Sequence, residues 1–364
     1  MHLSQSMDAI SLLYGPMERF GKSQSREYDI WLIFRGGTQE AQAASFVDAS
    51  VGLVVFFVVP TAVNGGAEAG MPGLPRMLCA IPHCLMLTAL VWAAPLSPQR
   101  IVSVSPAVTE MLYGIGAFDR VVAVTDYCLY PPEAKALPKV GGWATPSVEK
   151  VAGFRPDLVV LSDAQAPFLE MPLAQLGIPT AIARGQTLQD VYAAMTTLGK
   201  ATGNLHQAER LAAQTRSALD TVGNRAAHLA RPSVLCVVDR TPGTLRDLYA
   251  VTEGSFLAEL IAIAGGKTAG AASRLGYAKI SQEALLTMNP DIVLDIMPTS
   301  QNNGGPHPEA AWRELPEINA VRRGRVYVVR EEFVPHASQM VARTAVLFAR
   351  LLHPEVPPRE WEAR

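Results

Sequence analysis

The stretch Ser147–Ser162, SVEKVAGFRPDLVVLS, returns later in the chain as Ser281–Ile296, SQEALLTMNPDIVLDI. Each copy opens on a serine, carries a glutamate just inside (Glu149, Glu283), reaches a proline-aspartate pair (Pro156-Asp157, Pro290-Asp291) and runs on into apolar, mostly β-branched residues. A short amphipathic helix stopped by proline and followed by a buried strand fits both copies. Helix, Pro-Asp turn and strand is also a common connection, so the repeat defines two similar α/β units and by itself no function.

The chain of 364 residues is long enough for two domains and a sizeable core. A net charge of -2 and 18% charged residues leave no basic footprint for nucleic acid. Cys79, Cys84, Cys128 and Cys236 form no CxxC or Cys/His cluster, so the sequence supports no zinc site. GxSxG, HExxH and HxH motifs are absent, and no acids stand as a recognisable acid/base pair, which points away from an enzyme.

Residues 1–70 carry no convincing domain. The run Val51–Val63 holds Pro60 and is short for a bilayer span; it reads as a weak anchor or as dispensable upstream sequence. Residues 71–93 have the layout of a secretory signal peptide: Arg76 as the basic region, Met77–Val91 as the apolar region, Val91 and Ala93 before a mature start at Ala94. Neither Cys79 nor Cys84 sits in a lipoprotein cleavage context, so export to the periplasm as a soluble protein, without a lipid anchor, is expected. Residues 94–186 then alternate strand and helix in the manner of a parallel sheet. Residues 187–231 are helical, with Leu205, Ala208, Leu211, Ala212, Thr215, Leu219, Val222, Ala226 and Leu229 on one apolar stripe. Residues 232–364 repeat the α/β logic as a second lobe. Cys128 and Cys236 fall on different lobes and are expected to be unpaired.

Four stretches in order, RIVSVSPAVTEMLYGIGAFDRVVAVTDYCLYPPEA, GGW with PSVEKVAGFRPDLVV, GSFLAELIAIAGG and ISQEALLTMNPDIVLDI, resemble the periplasmic binding proteins that serve ABC importers of cobalamin, ferric siderophores and haem. The resemblance spans about residues 100 to 352. It implies two parallel-sheet α/β lobes joined by one long rigid helix, cargo in the cleft between them, and little closure on binding. It implies capture and delivery of a corrinoid or ferric-siderophore-type chelate, with haem as an alternative, and a monomer that meets a permease dimer and its ATPase subunits. An exported enzyme or a non-transport sensor on the same fold are the other readings. One exposed glutamate on each lobe docks on permease arginines in that family, which maps onto Glu149 and Glu283; ordinary first-turn helix acids are the plainer reading.

Ligands of α/β sheets bind at the carboxyl ends of strands, and the loops there hold Tyr127, Tyr130, Trp143, Tyr249, Tyr277 and Phe333. Aromatic walls suit a large planar cargo, though each residue could equally be packing over a strand end. Arg246 and Arg274 could clamp an anionic chelate or be solvated. His336 could approach a metal centre or be a surface histidine. Ser105 could hold an anion at a helix N-terminus or serve only as its cap.

Overall fold

In the computed structural model, the described residues are 97–270, 275–301 and 307–361, together with the backbone of four strands nearer the N-terminus. Met1–Val91 and Trp92–Arg364 form separate compact units. In the first, β1 (Arg19–Ser25), β2 (Tyr28–Phe34), β3 (Gln42–Asp48) and β4 (Leu53–Val59) make an antiparallel meander. The sequences of β2 and β4 are rich in β-branched and aromatic residues, which suit a pleated strand. The signal-peptide segment 71–93 lies outside the described residues.

The second unit starts with a wholly parallel sheet. Its elements are β5 (Ile101–Ser103), α1 (Pro106–Gly114), β6 (Val121–Val124), α2 (Val148–Gly153), β7 (Leu158–Ser162), α3 (Ala166–Gln175) and β8 (Thr180–Ala183), with strand order β6-β5-β7-β8. Central strands β5 and β7 are buried along their apolar runs, as strands covered on both faces must be.

Two helices follow this lobe's last strand, α4 (Leu188–Thr202) and then α5 (Leu205–Ala226), the long helix that joins the lobes. Thr187 and Asp190 open α4 with a capping box, and Gly203, in the left-handed region at φ 74, closes it. The 22 residues of α5 span about 33 Å, ending at Ala226 short of the expected Leu229. Its stripe is divided. Ala208, Leu211 and Ala212 pack into the N-terminal lobe's core, whereas Leu219, Val222 and Ala226 belong to the C-terminal lobe's core.

The C-terminal lobe comprises β9 (Ser233–Asp239), β10 (Leu248–Val251), α6 (Phe256–Ile263), β11 (Lys267–Thr268), β12 (Tyr277–Ile280), α7 (Gln282–Met288), β13 (Ile292–Ile296), α8 (Asn319–Arg322), β14 (Val326–Val329) and α9 (Val341–Leu352). Its strand order is β12-β10-β9-β13-β14, with β11 beside the start of β9. β9, β13 and β14 are parallel, while β10 and β12 are antiparallel additions. The turn into β10 passes through Asp247 at φ 52.

The repeated Pro-Asp pair has one structural task in both lobes. Asp157 accepts the backbone N–H groups of Gln99 (2.7 Å) and Arg100 (2.8 Å), and its own N–H donates to the Arg100 carbonyl (3.0 Å). Asp291 accepts from Ser233 N–H (3.1 Å) and donates to the Ser233 carbonyl (2.9 Å). Each aspartate therefore pins the entry of its lobe's first strand. Asp157→Ala and Asp291→Ala are each expected to lower stability by about 1–2 kcal/mol, measured as an earlier urea midpoint. Glu149→Ala and Glu283→Ala should move the midpoint far less; equal losses at all four positions would erase this distinction between the repeated acids.

Candidate functional site

Helices α2 and α7 are capped alike. Ser147 Oγ accepts the Lys150 N–H and Ser281 Oγ accepts the Ala284 N–H, each at 3.2 Å. Glu149 and Glu283 stand exposed in the first turns behind these caps, with no salt bridge among the described residues. Glu149 is held below the usual carboxylate range by its own backbone N–H and then by the Ser147 hydroxyl. Glu283 is held down by the Ser281 hydroxyl and then by its own N–H. Both stay charged as pH falls through the ordinary glutamate range. The stability this lends is present above the unfolded-state pKa and is lost as pH falls through the folded one.

Both helices start at the carboxyl ends of strands. Ser147 N–H donates to Val140 O (2.8 Å) and Val140 N–H to Val124 O (3.0 Å), which sets α2 at the end of β6. Ser281 follows Ile280, which pairs with Leu248, while the next residue of β10, Tyr249, pairs with Asp239 at the end of β9.

Exposed aromatics stand nearby. Tyr127, Trp143, Tyr249 and Tyr277 keep 44%, 39%, 41% and 39% of their surfaces exposed. Buried Gln165 fixes the Trp143 loop by donating from Nε2 to the Trp143 carbonyl (2.8 Å) and to the Val104 carbonyl (2.6 Å). On the second lobe, register pairs Tyr249 with Lys279 and Val251 with Tyr277, so both tyrosines and Lys279 share one face of β10–β12. Leu248, Ala250 and Ile280 are buried on the other. Lys279 pairs with Asp247. Although Tyr277 is part-exposed, burial of its phenol pushes its pKa up, with Cys236 and then Asp163 acting in the same direction. Asp163 belongs to the other lobe, at the exit of β7, and the neighbouring Gly276 lies against Gln186 of the joint. Gly276 thus places Tyr277 next to the joint between the lobes.

The remaining expected residues divide. Tyr130 sits edge-on to Tyr113, ring centres 5.4 Å apart. Phe333 packs on the C-terminal core beneath the Arg343 guanidinium, 4.5 Å from its ring centre. Arg246 is exposed on the turn before β10, and Arg274 lies outside the described residues. His336 spends its Nδ1 on Glu110 Oε1 at 2.7 Å. Ser105 is buried to 3% exposure and makes no side-chain cap bond; its carbonyl accepts from Thr109 N–H and Oγ1 at 3.0 Å, so it is closed to an anion from solvent. Cys128 and Cys236 are free and buried, and burial raises both thiols. Lys279, Asp163 and Arg343 were not expected at the site. The alternation of Tyr277-Ala278-Lys279-Ile280 is the signal that would have put Lys279 beside the tyrosines. Among the described residues, no cluster of three or more His, Cys, Asp or Glu suits a metal ion, and no helix is long and apolar enough to cross a membrane.

Two α/β lobes on a helical joint, each presenting exposed aromatics and a capped helix whose glutamate has no salt bridge among the described residues, define a two-lobe binding protein. Residues 101–333 match the periplasmic binding protein family, and the chain belongs to it. Similar curated proteins include an uncharacterized ABC transporter substrate-binding lipoprotein of Bacillus subtilis, 28% identical over 71% of this chain and 81% of its own. A vitamin B12-binding protein of Pectobacterium atrosepticum is 27% identical over 60% and 77%. Among solved structures, a periplasmic haem-binding protein from Roseiflexus sp. RS-1 (TM-score 0.63, 23% identity, 70% of this chain and 98% of that one) has the same fold. So does the periplasmic vitamin B12-binding protein of Vibrio cholerae (TM-score 0.60, 23% identity, 71% and 98%).

Proposed function

We propose that this protein is the non-catalytic substrate-binding component of an ABC importer, exported by a cleaved signal peptide at residues 71–93, and that it carries a corrinoid or an iron chelate to a permease dimer. One observation supports this above the others: at the carboxyl ends of both sheets, an aromatic stands just before a capped helix, Trp143 before α2 and Tyr277 before α7, and each helix presents an uncompensated glutamate. The aromatics face the cargo and the glutamates face the importer. Relatives named as vitamin B12-binding proteins favour a corrinoid. Arg246 and Lys279 beside Tyr249 favour a cargo with acidic groups, as in haem or a ferric chelate.

Tryptophan fluorescence separates these cargoes. Trp312 and Trp361 are buried to 1% exposure, whereas Trp143 is open. Titration with cobalamin, haem and ferric siderophores is expected to quench emission with one class only. Trp143→Phe should remove most of that quench, and Trp143→Ala should weaken binding by about 1.5–3 kcal/mol. No quench with any of the three, or the same quench without Trp143, would sink the cleft assignment.

A further inference from the structure

The lobes also meet away from helices α4 and α5. Glu110 on α1 is 2% exposed, and its carboxyl group is met from the C-terminal lobe. Oε1 lies 2.7 Å from His336 Nδ1, the Ser338 hydroxyl donates to Oε2, and Gln339 Nε2 donates to the Glu110 peptide oxygen at 2.6 Å. The Ser338 hydroxyl also accepts the Met340 N–H (3.1 Å) at the entry to α9, so the contact is tied into that helix. Between these residues, Ala337 packs against the cores of both lobes.

Two glycines make room for this segment. A Cβ at Gly185 would fall 2.6 Å from the Ala337 Cβ, and one at Gly114 would fall 2.6 Å from Leu211 Cδ2 of α5 and 3.1 Å from Gln339 Nε2. A carboxyl group this buried is costly to leave without its donors, so with the lobes together His336 and Ser338 are needed to meet it. Gln339 Oε1, by contrast, is buried without a hydrogen-bond partner among the described residues, which puts the weight of the contact on Glu110, His336 and Ser338.

We propose that Glu110 is a positioning residue: held by His336 and Ser338, it fixes the separation of the two cleft walls and, with it, the spacing of Glu149 from Glu283. The proposal rests on the reading of the chain as a two-lobe binding protein. It assigns His336 to the frame of the cleft instead of to a metal in the cargo.

Distance measurements between spin labels test it. The full chain would carry labels at Lys135→Cys in one lobe and Glu317→Cys in the other, both exposed positions. Cys79 and Cys84 would be changed to serine; Cys128 and Cys236 are buried and stay unlabelled. Without cargo, the parent and Glu110→Gln, which keeps an acceptor for Ser338 and offers an N–H to the imidazole, are expected to share one narrow distribution. Glu110→Ala and Ser338→Ala are expected to broaden it toward longer distances. Parent-like distributions in both alanine variants, even with lowered melting temperatures, would overturn the proposal, as would equal opening by glutamine and alanine at position 110. If Glu110→Ala does not fold, Ser338→Ala decides, since it removes one hydroxyl. The readout needs no ligand, so a protein that bound no chelate would fail as a corrinoid or haem carrier and could still pass this test.

Discussion

Cells carrying Glu149→Lys together with Glu283→Lys are expected to lose uptake of the cargo, while the purified double variant binds that cargo as tightly as the parent. The two acids stand exposed in the first turns of α2 and α7, outside the aromatic walls, without a basic partner among the described residues. Their caps hold them charged below the usual glutamate range. A partner with matched halves needs one anchor on each lobe, and setting like charge against like costs several kcal/mol at an interface. Single reversals should leave partial uptake, since one anchor remains. Lysine in a first helical turn also opposes the macrodipole, so Glu149→Gln with Glu283→Gln serves as the milder control for folding. Normal uptake by the double reversal, with expression matched, would remove the docking role. Loss of cargo affinity in the purified variant would instead place the glutamates in the cleft.

Asp295→Ala is expected to cost about 3–5 kcal/mol, a large part of the 5–15 kcal/mol that holds a typical domain together. Asp295 lies inside β13 and the Arg240 side chain at the end of β9, both 1% exposed, with Arg240 Nη2 2.9 Å from Asp295 Oδ2. Arg240 Nε donates to the same oxygen at 3.1 Å, and Trp312 Nε1 donates to it at 2.9 Å. The guanidinium also donates to the carbonyls of Thr244 (2.7 Å) and Pro308 (2.9 Å), so one buried pair gathers two strands and two loops. Removing the aspartate leaves a buried cation and an unpaired indole N–H. Replacing both members, as Arg240→Met with Asp295→Leu, is expected to recover much of the loss, because well-packed apolar residues escape the desolvation penalty. Urea unfolding of the three variants measures this; an unchanged midpoint for Asp295→Ala would show that the pair contributes nothing. The turn Thr241–Asp247 carries Arg246 and the partner of Lys279, so the single variant should also weaken cargo binding.

Local patterns carried the fold a long way. The repeat, the parallel strands of the first lobe and the lobe-joining helix all rest on residues close in sequence, where periodicity acts directly. The antiparallel strands β10 and β12 leave little mark in the sequence. Each is four residues long, and alternation so brief is easily taken for loop. Pairings between distant residues left no mark at all. Glu110 and His336 are 226 positions apart, and neither one's neighbours announce the other. For His336 and Ser105, residue type and turn left a cargo contact and a plain structural role both open. Burial gave one to Glu110 and closed the other off. Tyr127 and Trp143 were legible as large rings in strand-end loops, whereas Tyr249 and Tyr277, expected in loops as well, lie within β10 and β12, and Lys279 beside them did not stand out, since a lone lysine is most often solvent-facing.

Because α5 belongs to two cores, it also orders events in time. As the chain is made, the first lobe can close once Ala208, Leu211 and Ala212 have arrived to complete it. The same helix then extends past that lobe with Leu219, Val222 and Ala226 bare. β9 and β13 come later in the chain, so a first lobe that folds ahead of them would offer those three residues as a template. With both sets of residues on one helix, turning one lobe against the other would have to bend or twist α5 itself.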